Sequence, residues 1–223
     1  MEILSIARSF VDLFFPKRCV GCQSVIAGTA VLCPPCAAKL SYTHWGINRE
    51  NEAYFKLKAL CNLNSAGSFL RFEHDNITQK LMHFLKYENH PEIGILLAEG
   101  VFSSMNLAAY DGIIPVPIHP KKLKKRGYNQ VMPFAERLAE LTGIPLVKDC
   151  LIRKENNPSQ VHKSREERLN SIRNAFTIKG DLTGHYLLVD DVLTTGATVS
   201  SCVNLIHSKF TVKISVLTIA CAV

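Results

Sequence analysis

The sequence predicts an α/β fold in which a mainly parallel sheet is covered by helices on both faces and a small cysteine-rich module precedes the sheet. Strand-like and helix-like hydrophobic patterns alternate over most of the chain, which is typical of parallel sheets with crossover helices. Two Cys-x2-Cys pairs lie close together near the N-terminus. The chain has 223 residues, 47% of them apolar, which suits one mid-sized domain with a small appendage.

The N-terminal cysteines form the array Cys19-Val-Gly-Cys22 and Cys33-Pro-Pro-Cys36. Each pair can place two sulfurs on one side of a tight turn, so the two pairs together can bind one zinc ion tetrahedrally. A segment of about forty residues is too small to fold around its own core, so a metal would supply much of its folding free energy. Four thiolates leave no position for water, which indicates a structural zinc. A disulfide pair and chance spacing are the alternatives.

The predicted elements follow from hydrophobic spacing and capping residues. A helix begins near Asp75, because Asn76 and Gln79 offer a cap and apolar residues then recur at helical spacing. A later helix ends at Gly143, since glycine readily adopts the left-handed conformation of a C-cap. The other predicted elements are a helix from residue 91, strands at 113–117, 145–147, 175–178, 186–189 and 212–222, and a helix at 197–208. We expect residues 1–52 to form an N-terminal helix and the zinc module, and residues 53–223 to form the sheet domain, with separate cores.

Hydropathy and charge exclude several protein classes. The longest uncharged apolar stretches, such as residues 214–223, are shorter than the ~20 residues of a membrane-spanning helix. The first fifteen residues are amphipathic, but Glu2, Arg8 and Asp12 interrupt any signal-peptide core. We therefore expect a cytoplasmic protein with reduced cysteines.

The positive charge is concentrated in one segment. The net charge of the chain is +7, and residues 117–173 contain 13 Lys/Arg against 6 Asp/Glu, so the remaining 13 Lys/Arg and 13 Asp/Glu cancel. A local cationic patch on a neutral body indicates a site for one anionic ligand or strand, whereas the alternative is a solvated basic face.

One segment has the features of a phosphate-binding loop. Residues 186–198 read Tyr-Leu-Leu-Val-Asp-Asp-Val-Leu-Thr-Thr-Gly-Ala-Thr and precede an apolar-periodic helix. The strand delivers Asp190 and Asp191 to a short loop whose backbone N–H groups and helix dipole favour a phosphate. Two carboxylates would repel a polyphosphate but can accept hydrogen bonds from sugar hydroxyls, which indicates a ribose 5-phosphate. The P-loop lysine is absent, and the alternative is an ordinary strand-to-helix turn capped by threonine.

This segment resembles the binding signature for 5-phosphoribosyl 1-pyrophosphate (PRPP) of type I phosphoribosyltransferases. With the cysteines, Pro-Val-Pro-Ile-His at 115–119, Lys-Arg-Gly-Tyr-Asn-Gln at 125–130 and a stretch at 160–176, the chain resembles the ComF competence-protein family over nearly its full length. The resemblance implies a type I phosphoribosyltransferase-like sheet that binds PRPP together with Mg²⁺. The PRPP-binding residues it implies are Asp190, Asp191, Thr194, Thr195, Gly196, Ala197, Thr198, Arg126 and Gly127.

The resemblance also gives the two basic segments a role. The loop after strand 113–117 is expected to face the pyrophosphate, where Arg126 can bind phosphate bidentately and Gly127 permits close approach. The segment 156–173 is polar and charged, as expected of a mobile hood that closes over a site. Its residues that match the family pattern are Gln160, Arg165, Arg168 and Asn170. The alternative for the two arginines is salt bridging with Glu166 or Glu167 on an exposed helix.

Several functions are compatible with these features. The resemblance favours a PRPP-binding protein with a role in DNA uptake and natural transformation, with single-stranded DNA and a DNA-uptake helicase as partners. If the protein transfers the phosphoribosyl group, the catalytic residues would be Asp190, Asp191, Arg126 and Arg165, and pyrophosphate would be released. The alternatives are an amidophosphoribosyltransferase-like enzyme of nucleotide metabolism without a DNA role, and a PRPP sensor without turnover.

Overall fold

The structure is a computed structural model that describes residues 16–107, 110–154 and 175–222. The predicted N-terminal helix and the predicted hood residues Gln160, Arg165, Arg168 and Asn170 lie outside the described residues. In chain order the described elements are α1 (Pro34–Ala37), α2 (Glu52–Lys58), β1 (Ser65–Phe72), α3 (Ile77–Tyr87), α4 (Glu92–Ser104), β2 (Gly112–Pro115), α5 (Pro120–Arg126), α6 (Met132–Thr142), β3 (Leu151–Arg153), β4 (Phe176–Ile178), β5 (His185–Leu193), α7 (Ala197–His207) and β6 (Lys213–Ala222).

A four-stranded sheet in the order β1-β6-β5-β2 forms the centre of the fold, and its neighbouring strands pair in parallel. Side chains alternate between its two faces: Leu187 and Val189 pack with α3, α4 and α6, whereas Leu188 packs with α2 and α7. Burial on both faces explains the nearly continuous apolar sequence of the central strands. The predicted parallel sheet with helices on both faces is therefore confirmed.

Caps fix the ends of two predicted helices. The side chain of Asn76 accepts a hydrogen bond of 2.8 Å from the backbone N–H of Gln79 at the start of α3. Gly143 ends α6 with a φ of 73°. Both caps agree with the prediction, because they depend on local residue types alone.

The structure departs from the predicted elements in several places. Residues 120–126, expected as a loop, form helix α5, which starts with a proline at its first position and ends at Gly127 with a φ of 80°. Residues 145–147 form no strand and contribute one parallel bridge between Leu146 and Ile113. Strand β4 pairs antiparallel with β3 outside the main sheet. Helix α2 and strand β1 have no counterpart among the predicted elements.

The cysteine module and the sheet share a hydrophobic core, contrary to the prediction of separate cores. Val20, Val31 and Leu32 of the module belong to the same buried cluster as Phe69 of β1 and Leu97 of α4. The module cannot bury its few apolar side chains by itself, so it packs them against the sheet domain. None of the helices in the described part of the chain combines the length and the apolarity needed to span a membrane.

Candidate functional site

The first candidate site is the cluster of Cys19, Cys22, Cys33 and Cys36, whose sulfurs all lie within 4.8 Å of one another. The sulfurs of Cys22 and Cys33 are 3.7 Å apart. A tetrahedral zinc with Zn–S distances of about 2.3 Å places its sulfurs about 3.8 Å apart. The side chains present therefore fit a four-thiolate zinc site.

The backbone around the cluster supports the same conclusion. The N–H of Cys33 donates a hydrogen bond of 3.3 Å to the sulfur of Cys19. A Cβ at Gly21 would lie 2.7 Å from the sulfur of Cys36 and 3.6 Å from that of Cys19. Only glycine lets the chain pass so close to the sulfurs.

The four thiols differ in how readily they ionise. Burial and the neighbouring cysteines raise the pKa of Cys36 to about 12, whereas hydrogen bonding with Ser24 lowers the pKa of Cys22 to about 6. Four thiolates at this separation repel one another, so all four can ionise together only around a cation. A zinc ion there would bind all four sulfurs and tie the two turns together.

The second candidate site is a cleft of about 200 Å³ where β2 and β5 end. The pairing of Pro115 with Val189 brings the residues that follow both positions to the same edge of the sheet. Asp190 and Asp191, both 7% exposed, reach the cleft from β5. Its other lining residues are Lys86, Tyr87, Val116, Pro117, Ile118, His119, Lys122, Arg126, Gln130, Arg153, Val192 and Thr198.

A chain of polar contacts links the acidic and basic sides of this cleft. Asp191 pairs with Lys86 of α3 at 2.8 Å through its Oδ2 atom and accepts a hydrogen bond of 3.0 Å from Gln130 on the same atom. Arg126 donates to Oε1 of Gln130 at 2.9 Å. The Arg126 guanidinium also lies 4.9 Å from the centre of the Tyr87 ring. These contacts orient Arg126 toward the acidic pair.

The loop between β5 and α7 provides a tight turn. Gly196 has a φ of 79° at the N-cap of α7, and a Cβ there would lie 3.0 Å from Leu60 and 3.1 Å from Leu57. Thr195 accepts a hydrogen bond of 3.4 Å from the N–H of Ala197. The left-handed turn and the packing of α2 beneath it both require glycine at position 196.

The structure brings only some of the predicted site residues together. Asp190, Asp191, Arg126 and Thr198 line the cleft, whereas Thr194 and Thr195 are exposed and do not line it. Gly127 caps α5 outside the lining. Sequence reasoning missed Lys86, Tyr87 and Arg153 as members of this site and gave Gln130 no role in it.

Arg153, which lines the cleft, has a buried side-chain donor that needs a partner. Its Nε atom is buried and has no hydrogen-bond partner within the described residues, and its guanidinium lies 5.2 Å from the centre of the Phe176 ring. A buried donor without a partner is unfavourable, which marks Arg153 as a candidate anion contact. Its position in the three-residue strand β3 gives no sequence pattern that would identify it.

Burial and the neighbouring carboxylate of Asp191 raise the pKa of Asp190 to about 8, and Lys86 offsets only part of this effect. Between pH 4 and pH 8 the folded protein therefore keeps a proton that the unfolded chain releases, so this group lowers stability as the pH rises. We expect Asp190→Asn to gain stability relative to the wild type on going from pH 5 to pH 8, as measured by urea unfolding.

The asparagine can still accept the hydrogen bond of 2.9 Å that the N–H of Asp191 donates to Oδ1 of Asp190. The exposed Asp149 supplies a matched control as Asp149→Asn. A stability difference between Asp190→Asn and wild type that stays constant from pH 5 to pH 8 would contradict the assignment of a buried, protonated Asp190.

Comparisons with known proteins bear on the first of these sites and on the relatives of the chain. Residues 10–45 match the family described as Double zinc ribbon domain. The DNA utilization protein YhgH of Salmonella typhi is 31% identical over 134 residues, which cover 56% of this chain and 59% of the relative. Competence protein ComFC of Bacillus subtilis is 27% identical over 188 residues, which cover 82% of this chain and 74% of the relative. The chain is related to YhgH and ComFC.

The relationship confirms the resemblance to competence proteins, and the family match confirms the zinc-ribbon character of the four-cysteine module. The chain spans about three fifths of the length of the Salmonella relative. A solved glutamine PRPP amidotransferase from Bacillus subtilis aligns with 62% of this chain and 30% of its own, at 18% identity and a TM-score of 0.46. YhgH and ComFC are named for DNA use and competence.

Proposed function

We propose that this protein binds PRPP in the cleft at the ends of β2 and β5 and acts in DNA uptake. The observation that carries the proposal is the meeting of two buried acidic side chains with several cations in one cleft. Asp190 and Asp191 offer acceptors for sugar hydroxyls, while Arg126 and Lys122 offer charge for phosphates. A ribose that carries phosphates at both ends requires both kinds of group.

The described residues can divide this ligand between them. The carboxyl groups of Asp190 and Asp191 accept hydrogen bonds from the ribose hydroxyls, and the 5-phosphate binds at the N-terminus of α7, beside the turn at Gly196. Arg126, held by Gln130 and Tyr87, faces the pyrophosphate.

Magnesium fits the donor set of the same cleft, because adjacent carboxylates and phosphate oxygens are the ligands that it prefers. If bound with PRPP, magnesium would supply positive charge that offsets the charge of the pyrophosphate. Lys86 already neutralises Asp191 in the free protein. This ion pair reduces the negative charge of the cleft, so an anionic ligand can bind there before magnesium does.

The DNA role rests on the names of the relatives and on the surface of α5. Lys121, Lys122, Lys124 and Lys125 are all exposed on this helix. Lys122 lines the PRPP cleft, while Lys121 and Lys124 do not. Lys122 can therefore contact a ligand in the cleft, while Lys121 and Lys124 can contact the phosphates of a nucleic-acid strand. A DNA-uptake helicase is the partner that such a role would require.

Phosphoribosyl transfer is a second candidate function, favoured by the cations that surround the expected position of the leaving pyrophosphate. Electrostatic stabilisation of that group needs no protein nucleophile. Release of pyrophosphate when a nitrogen nucleophile is added to the PRPP-bound protein would support transfer. Binding without release would support a sensor.

Charge reversal on α5 tests the two uses of the basic segment. We expect Lys121→Glu with Lys124→Glu to weaken single-stranded DNA binding and to reduce the log-log salt slope by about 1.4, because each phosphate contact contributes about 0.7. PRPP affinity, measured by calorimetry, should stay unchanged.

Lys179→Glu with Lys209→Glu makes the same charge change at exposed positions away from α5. This control should reduce DNA affinity and its salt slope much less. DNA affinity and slope that are untouched by the α5 reversals would exclude α5 as the strand-binding surface.

A further inference from the structure

An aromatic pocket of about 320 Å³ lies beside β1, the edge strand of the sheet, and apart from both sites described above. The segment from Tyr42 to Asn48 runs along this edge and forms antiparallel bridges from Tyr42 to Leu70 and from Asn48 to Ala66. The pocket is lined by Tyr42, His44, Trp45 and Phe69, with Ser104 and Met105 at the end of α4.

Tyr42 gives this pocket an exposed ring in a fixed position. Tyr42 is 39% exposed and packs edge-on against the buried Phe69, with ring centres 5.2 Å apart. Thr43 fixes the segment: its N–H donates to the carbonyl of Phe69 at 3.0 Å, and its hydroxyl accepts from the N–H of Trp45 at 3.1 Å. His44, which lies between Thr43 and Trp45 in the sequence, has a φ of 58°. A non-glycine residue in this conformation is strained, and the contacts of Thr43 maintain it.

The charge of the pocket favours an anionic ligand with a flat apolar part. None of the described residues that line it carries a carboxylate. The Arg71 guanidinium lies 5.5 Å from the centre of the Trp45 ring and forms no ion pair within the described ranges. A stacking surface beside an arginine that pairs with no acidic group in the described part of the chain suits a base and its phosphate.

We propose that this pocket binds one nucleobase of single-stranded DNA by stacking on Tyr42 and Trp45, with Arg71 at the adjacent phosphate. The inference rests on the proposed DNA role and extends it from the lysines of α5, which can contact only the backbone. Stacking on aromatic rings tolerates every base, so the pocket would hold a strand without reading its sequence.

Trp45 is the only tryptophan in the chain, so its fluorescence reports on this pocket alone. We expect a short oligothymidylate to quench this fluorescence, and an abasic strand of equal length to leave it largely unchanged. Tyr42→Ala should weaken binding of the oligothymidylate about tenfold, as measured by fluorescence anisotropy of a labelled strand. Tyr42→Phe should retain the affinity, because it keeps the ring.

Phe55→Ala removes an aromatic ring that is 58% exposed on α2 and serves as the matched control. Arg71→Gln gives a second test that leaves the rings in place and should lower the log-log salt slope by about 0.7. If the wild type binds the strand but Tyr42→Ala and Arg71→Gln bind it equally well, the pocket is excluded and the DNA role stands. If the wild type binds no strand, the DNA role and the base-binding pocket are both excluded.

Discussion

Replacing Gly196 with Val is expected to lower the free energy of unfolding by about 2 kcal/mol and to abolish measurable PRPP binding. The left-handed turn at this position disfavours any β-branched side chain, and the added atoms would press on Leu57 of α2 and on Leu60, which follows α2. Relief of this contact would shift the loop that leads into α7. Chemical unfolding and calorimetric titration with PRPP and magnesium measure the two effects.

Gly180 supplies the matched control for this substitution. It has a φ of 76°, close to that of Gly196, but a Cβ there would meet no atom within 4 Å. Gly180→Val should therefore show the cost of the backbone conformation without the clash and without loss of PRPP affinity. Thr194→Ala, at an exposed position, should leave stability unchanged. Equal PRPP affinities for Gly196→Val and Gly180→Val would exclude the loop from the binding site.

Replacing Cys22 with Ser is expected to reduce the zinc content from one ion per chain to far below one and to lower the free energy of unfolding by several kcal/mol. Structural zinc contributes about 10 kcal/mol or more in small zinc domains. Cys22 is exposed, so the change leaves no cavity and its effect reports on the metal. Elemental analysis and thermal unfolding measure the two quantities.

The shared core predicts how the loss of zinc changes the unfolding curve. Because Val31 and Leu32 pack with Leu97 of α4, loss of zinc should shift one cooperative transition rather than add a separate early one. Cys61→Ser, outside the cluster, should keep one zinc per chain. A wild-type protein purified without chelator that contains much less than one zinc would contradict the assignment.

Local residue chemistry made part of this structure predictable. Asn76, Gly143 and the apolar strands around Leu188 depend on neighbours in the sequence, and the structure has them where they were expected. The adjacent acids at 190 and 191 are equally visible, because the chain itself places them within the last four residues of a buried strand.

Other features depend on contacts that the sequence does not show. Helix α5 has no apolar periodicity and depends on its caps at His119 and Gly127. Strand β1 begins with small residues, and a Cβ at Gly67 would lie 3.0 Å from the carbonyl of Gly46. Lys86 meets Asp191 only through the tertiary fold. A lysine in the last turn of a helix gives no signal that distinguishes it from a solvated one.

Calorimetric titration of the wild-type protein with PRPP in the presence of magnesium tests the central claim most directly, when it is paired with the same titration of Asp191→Ala. We predict saturable binding at one site per chain, weakened by about 1–3 kcal/mol in the variant because hydrogen bonds to a charged group are lost. Asp149→Ala, at an exposed carboxylate, should bind as the wild type does. No saturable heat with the wild type, or equal affinities for the wild type and Asp191→Ala, would contradict the account.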